Sequence, residues 1–144
     1  MCFNNKTGKI CLLLLFLYLC FLFCEAVILR VPSKDYGLQT DWFWGYKSDI
    51  PSVFYGDNFL NIALFIPIGC LIAMIVSKFR AISSFFMGLF VSETIECSQL
   101  IWERGAFDVD DILNNTIGAL VGGLLVTCFL GIRKLRRKNG QSVL

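Results

Sequence analysis

Glu96 and Gln99 lie in ETIECSQ, inside an apolar run, and Arg104, Asp108, Asp111 and Asn115 follow in WERGAFDVDDILNNT. Three carboxylates, two amides and a guanidinium within this short stretch can move protons, hold hydroxyl or ammonium groups, or ligate a hard cation such as Mg²⁺ or Ca²⁺. None of these groups is at ease in hydrocarbon. An ionisable side chain at the bilayer centre costs about 2.5–3.5 kcal/mol on insertion scales, so the carboxylates require partners or a wet cleft.

The surrounding chain is of a kind that would place them there. It has 144 residues, 56% of them hydrophobic and 15% aromatic, against roughly 45–50% apolar residues for a soluble domain. Its mean hydropathy is +0.68. The apolar residues gather into four segments, about 10–29, 59–77, 81–101 and 112–132, each long enough to cross a ~30 Å hydrocarbon core as a helix. The expected fold is an all-α membrane bundle of four transmembrane helices, with residues 1–144 forming one domain. The first segment is read as a retained helix: CEAVILR, which follows its apolar run, lacks the small-x-small pattern of a cleaved signal. Lys6 and Lys9, then Lys78 and Arg80, then Arg133 to Lys138 fall on one side of such a bundle. That bias puts both termini in the cytoplasm and the connections at about 30–58 and 102–111 outside.

With that topology the polar side chains share a level. Glu25 ends the first span, Asn58 and Asn61 begin the second, Glu93, Glu96 and Gln99 end the third, and Asp111, Asn114 and Asn115 begin the fourth. At 100° per residue, Asp111, Asn115, Gly118 and Gly122 fall within an arc of about 60°. The lower end of that stripe is a small-xxx-small pattern that lets a helix approach closely, and the simplest packing sets it against the third span. Asp111 and Asn115 would then approach Glu96 and Gln99, with Arg104 folding back over the carboxylates. Asp108 and Asp110 have a competing role as caps of the fourth helix, and Pro67 is expected to kink the second. Asn61, Glu96, Gln99, Arg104, Asp108, Asp111 and Asn115 form the candidate polar cleft, and Gly118 and Gly122 the packing stripe.

Composition narrows the chemistry further. There is no histidine, which removes His-based triads and His-ligated zinc. With no nucleophile motif or phosphate-binding loop either, no catalytic residue is assigned and no cofactor is expected, although a hard cation suits the carboxylates. The seven cysteines avoid both outward connections, and Cys20 and Cys24, one helical turn apart, read as packing residues. A basic tail beside a membrane suits anionic lipid, not nucleic acid. The connection at 30–58 carries Trp42 and Trp44 among seven aromatic residues, fit to lie at the membrane interface or to grip a ligand.

The motifs NxxLFIPIGCL (Asn61 to Leu71), ExxQ (Glu96, Gln99) and RGxFDVDDILxNTxGxxxG (Arg104 to Gly122) resemble the VanZ-like family over about 57–125. FDVDD stands where the family has an FDIDD-type stretch, and Glu93 lies outside the pattern. The resemblance implies a multi-pass protein of the bacterial cell membrane, in a family whose founding member is associated with teicoplanin resistance. Three functions fit the residues. One is an envelope protein that binds or shields a lipid-linked wall component or glycopeptide through an outward polar cleft. The second is a membrane-embedded enzyme on a lipid-linked substrate, with Glu96 and Asp111 as acid and base or metal ligands. The third is a proton- or cation-coupled transporter.

Overall fold

Backbone in hydrocarbon must satisfy its own hydrogen bonds, and the apolar runs do so as helices. The computed structural model describes residues 6–32, 37–39 and 51–141, without the side chains of 51–57, 138, 140 and 141. Helix α1 (Lys6–Phe23) continues into a π-helical turn, Cys24–Ile28, followed by α2 (Pro51–Ile75), α3 (Arg80–Ile101) and α4 (Val109–Gln141). Two-residue strands β1 (Leu38–Gln39) and β2 (Phe107–Asp108) pair in parallel, Leu38 opposite Phe107 and Gln39 opposite Asp108. This small pair ties the connection before α2 to the one before α4.

Helix boundaries depart from the apolar segments at two places. Helix α2 starts at Pro51 instead of near 59. Proline suits the first helical position, where its missing N–H would have no partner anyway. Helix α4 runs to Gln141, well past 132, and carries Arg133, Lys134, Arg136 and Arg137 as an exposed helical extension. Helix α2 continues through Pro67. Three helical stretches, Lys6–Ile28, Asn58–Ile75 and Val109–Arg137, are long and apolar enough to cross a membrane. At 22 residues α3 has the length, but its serines, Thr94, Glu93, Glu96 and Gln99 lower its hydropathy.

Helix α4 packs on both α2 and α3, while α1 lies against α2 and meets α3 chiefly through the π-helical turn. Phe65, Ile68 and Ile72 of α2, Ile95 of α3, Ala119 of α4 and Leu15 and Leu22 of α1 form the buried apolar core. The outer surface is apolar too: Leu13, Phe16, Phe86, Phe90, Leu125 and Phe129 are all exposed, as suits a lipid surround.

The glycine stripe faces α2, which corrects the expected packing against α3. A Cβ at Gly118 would lie 2.1 Å from the Ile62 carbonyl oxygen, and one at Gly122 2.1 Å from that of Ile66. Gly69 of α2 approaches the Ala119 carbonyl in the same way. Helical rotation explains the difference. Asp111, Gly118 and Gly122 cluster in direction, whereas Ala119 and Gly123 lie about 80° and 120° round from Asp111. It is this second face that meets Gly88 and Ser84 of α3.

Substituting Gly122 by Ala is expected to force α2 and α4 apart and cost about 1–3 kcal/mol, as overpacking does. Gly131→Ala, with nothing within 4 Å, is expected to leave the thermal midpoint of the detergent-solubilised protein unchanged or slightly raised. Equal melting of the two variants would contradict the close contact.

Candidate functional site

Helices α1 and α3 finish, and α4 begins, at one end of the bundle, and a cavity of about 310 Å³ opens there. Glu25, Arg30, Asn61, Glu96, Gln99, Asp111 and Asn115 line it over an apolar floor of Leu22, Ala26, Leu64, Phe65 and Ile95. Every helix contributes. Four of the expected cleft residues from α3 and α4, Glu96, Gln99, Asp111 and Asn115, are brought together, and Asn61 joins them from α2.

Each polar side chain is fixed by a different element. The Asp108 backbone N–H donates to Glu96 Oε2 at 3.0 Å, which anchors the α3 carboxylate to the start of α4 although only 2% of Glu96 is exposed. Asn61 Nδ2 donates to Asp111 Oδ1 at 2.6 Å. Asn115 Nδ2 donates to Ser92 Oγ at 2.9 Å, and Gln99 Nε2 donates to the Ala26 carbonyl at 3.0 Å. All three amides thus direct their nitrogens into the protein. Asn115 Oδ1, on a side chain only 5% exposed, has no hydrogen-bond partner among the described residues.

Two expected roles change. Arg104 does not cover the carboxylates: its Nη1 donates to the carbonyls of Ile28, at 3.1 Å, and Arg30. The end of a helix leaves carbonyls without intrahelical partners, and the π-helical turn of α1 presents them to Arg104. The cation on the cavity wall is Arg30, within Coulombic reach of both Glu96 and Asp111. Asp108 acts as the cap of α4, its Oδ1 accepting the Asp110 N–H at 2.8 Å, and does not line the cavity. Glu93 is exposed on α3, whereas Glu96 is buried. Cys20 and Cys24 are exposed rather than packed.

Arg30 and Ser92 were absent from the sequence expectation. Arg30 follows the first apolar run and reads as an ordinary flanking charge, and Ser92 is one of several small polar residues in α3. Helical phase offered a signal for Ser92, which lies one turn before Glu96. Trp42 and Trp44 lie outside the described residues. Among the described residues, no group of three His, Cys, Asp or Glu is placed to share a metal ion. A hard cation in this cavity would draw on Glu96 and Asp111 and on amide oxygens.

The VanZ/LLP1 family model matches residues 9–130. The chain belongs to the VanZ/LLP1 family. It is 34% identical to Protein VanZ of Enterococcus faecium over 62 residues, which is 43% of this chain and 38% of that protein. The matched stretch therefore spans less than two fifths of that relative's length. No solved structure matches the chain. Family membership and the apolar helices together make this VanZ/LLP1 chain a membrane protein.

Removing the Asp108 cap by Asp108→Ala is expected to cost about 1 kcal/mol and lower the thermal midpoint, while Asp108→Asn stays within a few tenths of the parent. Circular-dichroism melts of the three proteins in one detergent read the difference.

Proposed function

We propose that this chain is a multi-pass protein of the bacterial cell membrane that binds a lipid-linked wall component or a glycopeptide at the outer face. In this reading residues 1–144 form one domain. All four helices span, both termini are cytoplasmic, and the cavity opens outward. The lysine and arginine bias supports that orientation: Lys78, Arg80 and the basic end of α4 lie at one end of the helices and Glu96 and Asp111 near the other.

One observation carries the binding role. Side chains from every helix converge on a single cavity, where Glu96 is buried and the Asn115 amide oxygen has no partner among the described residues. Buried polar groups are as a rule hydrogen-bonded. A cluster that keeps an open cavity and an unused buried acceptor is arranged for something that enters. Glu96 and Asp111, both lining the cavity, also suit acid and base roles on a lipid-linked substrate.

Expression in a susceptible Gram-positive host is expected to raise the inhibitory concentration of a lipoglycopeptide such as teicoplanin at least fourfold. The Glu96→Gln, Asp111→Asn double variant, present in the membrane at equal abundance, is expected to return it to the host value. Full protection by the double variant would remove the cavity from the function.

A further inference from the structure

Arg104 and Gly105 are consecutive in the chain, and both act on Arg30. Arg104 Nη1 donates to the Arg30 carbonyl, which holds the backbone of that residue beside the chain that follows α3. Gly105 is buried, and a Cβ there would lie 3.3 Å from Arg30 Cζ and 3.5 Å from both Nη1 and Nη2. A point slightly nearer the central carbon and equidistant from the two nitrogens lies above the guanidinium plane, so the group rests flat on the glycine. One face and the backbone of Arg30 are thus held by protein. Its N–H groups make no hydrogen bond or ion pair among the described residues, and the exposed side chain stands at the mouth of the polar cavity.

Deeper in, the need is reversed. Asn115 Oδ1 belongs to a buried side chain that lines the same cavity, and it has no partner among the described residues. The site offers donors at its mouth and an unused acceptor inside. An ammonium brings only donors and leaves Arg30 without an acceptor, whereas a phosphodiester or carboxylate brings only acceptors and leaves Asn115 without a donor. A hydroxyl does both. It also suits Glu25, Glu96 and Asp111 in either protonation state, donating to a carboxylate and accepting from a carboxylic acid. Several hydroxyls on one small frame therefore answer the whole polar lining, and the C–H face of such a frame suits the floor of Leu64, Phe65 and Ile95. The volume of about 310 Å³ is at the lower end of the roughly 300–1,000 Å³ of small-molecule pockets, which fits a single ring and not a long oligosaccharide.

We propose that the cavity takes one uncharged, hydroxylated sugar ring, with Arg30, positioned by Arg104 and Gly105, donating to its oxygens and Asn115 Oδ1 accepting from one of its hydroxyls. This deepens the binding role proposed above and rests on it. The ring can be the head of a membrane glycolipid or a sugar on a molecule arriving from outside, and both present the same hydroxyls to the site.

Native mass spectrometry of the intact chain released from phosphatidylcholine nanodiscs reads which added lipid stays bound. Four lipids with identical acyl chains are compared: glucosyl-diacylglycerol, diacylglycerol itself, phosphatidylethanolamine with its ammonium and phosphate, and N-acetylglycyl diacylglycerol, whose uncharged head has an amide and no hydroxyl. The glucolipid is expected to be retained about tenfold more than each of the others, the equivalent of one or two net hydrogen bonds. Arg30→Gln should lose most of that preference. Gly105→Val, which keeps Arg30 but fills the space under its guanidinium, should lose it as well. Because Arg30 is exposed, Arg30→Gln decides the matter even if Gly105→Val does not fold. Excess methyl glucoside separates the two sources: displacement of the glucolipid supports a ring that enters from water, and resistance supports one carried in by its lipid. Equal retention of glucolipid and diacylglycerol by the parent protein would overturn the proposal. Stronger retention of the amide or ethanolamine lipid, or an undiminished glucolipid preference in Arg30→Gln, would do the same. If the cavity double variant still lost drug protection in that case, the binding role would stand with a different ligand class.

Discussion

Helices α2 and α4 approach until backbone touches backbone, and the rest of the polar end depends on that approach. Gly118 against Ile62, Gly122 against Ile66 and Gly69 against Ala119 leave no room for a single added carbon. In lipid, where no hydrophobic force draws helices together, close packing of small residues and interhelical hydrogen bonds do so instead. The contact sets both the rotation and the height of α4. With that rotation Asp111 meets Asn61, Asn115 turns to Ser92, and the Asp108 N–H, just before α4, reaches Glu96.

The resulting end of the bundle divides its polar groups by task. Arg104 and Gln99 clasp the carbonyls at the end of α1, Asp108 caps α4, and Asn58 bonds Asn114 between α2 and α4. These bonds lie in the wall of the bundle and hold it shut around the cavity. Glu96, Asp111 and the Asn115 oxygen are presented inward. Widening of α1 into a π-helical turn fits the same scheme, since such turns often accompany functional sites: here the turn offers the Ala26 carbonyl to Gln99 while placing Glu25 on the cavity wall.

Much of this was legible in the sequence because hydrocarbon makes polar residues conspicuous. Glu96, Gln99, Asp111 and Asn115 stood out in apolar runs, and a shared depth followed from the order of the spans. Rotation was less accessible. The 60° stripe on α4 is real, but a stripe does not name its partner, and Asn61, one amide in α2, is what draws Asp111 to that side. Arg104 was read by sequence proximity to the carboxylates, whereas the carbonyls at the end of α1, distant in sequence, bind it. Arg30 was hidden for the same reason. The early start of α2 had a local signal, Pro51, outweighed by the polar residues that follow it. The pairing of Leu38–Gln39 with Phe107–Asp108 had none, since two-residue strands leave no alternation to detect.

The central claim is that Ser92, Asn115 and their neighbours face a common interior while Glu93, one residue away, does not. Paired cysteines in a background with all seven native cysteines replaced by alanine or serine measure this directly. Ser92→Cys with Asn115→Cys is expected to form an intramolecular disulfide readily on mild oxidation in native membranes, seen as a linked peptide pair after proteolysis, because these side chains already touch. Glu93→Cys with Asn115→Cys should remain unlinked. Efficient linking of the Glu93 pair together with failure of the Ser92 pair would contradict the arrangement of α3 against α4 on which the site is built.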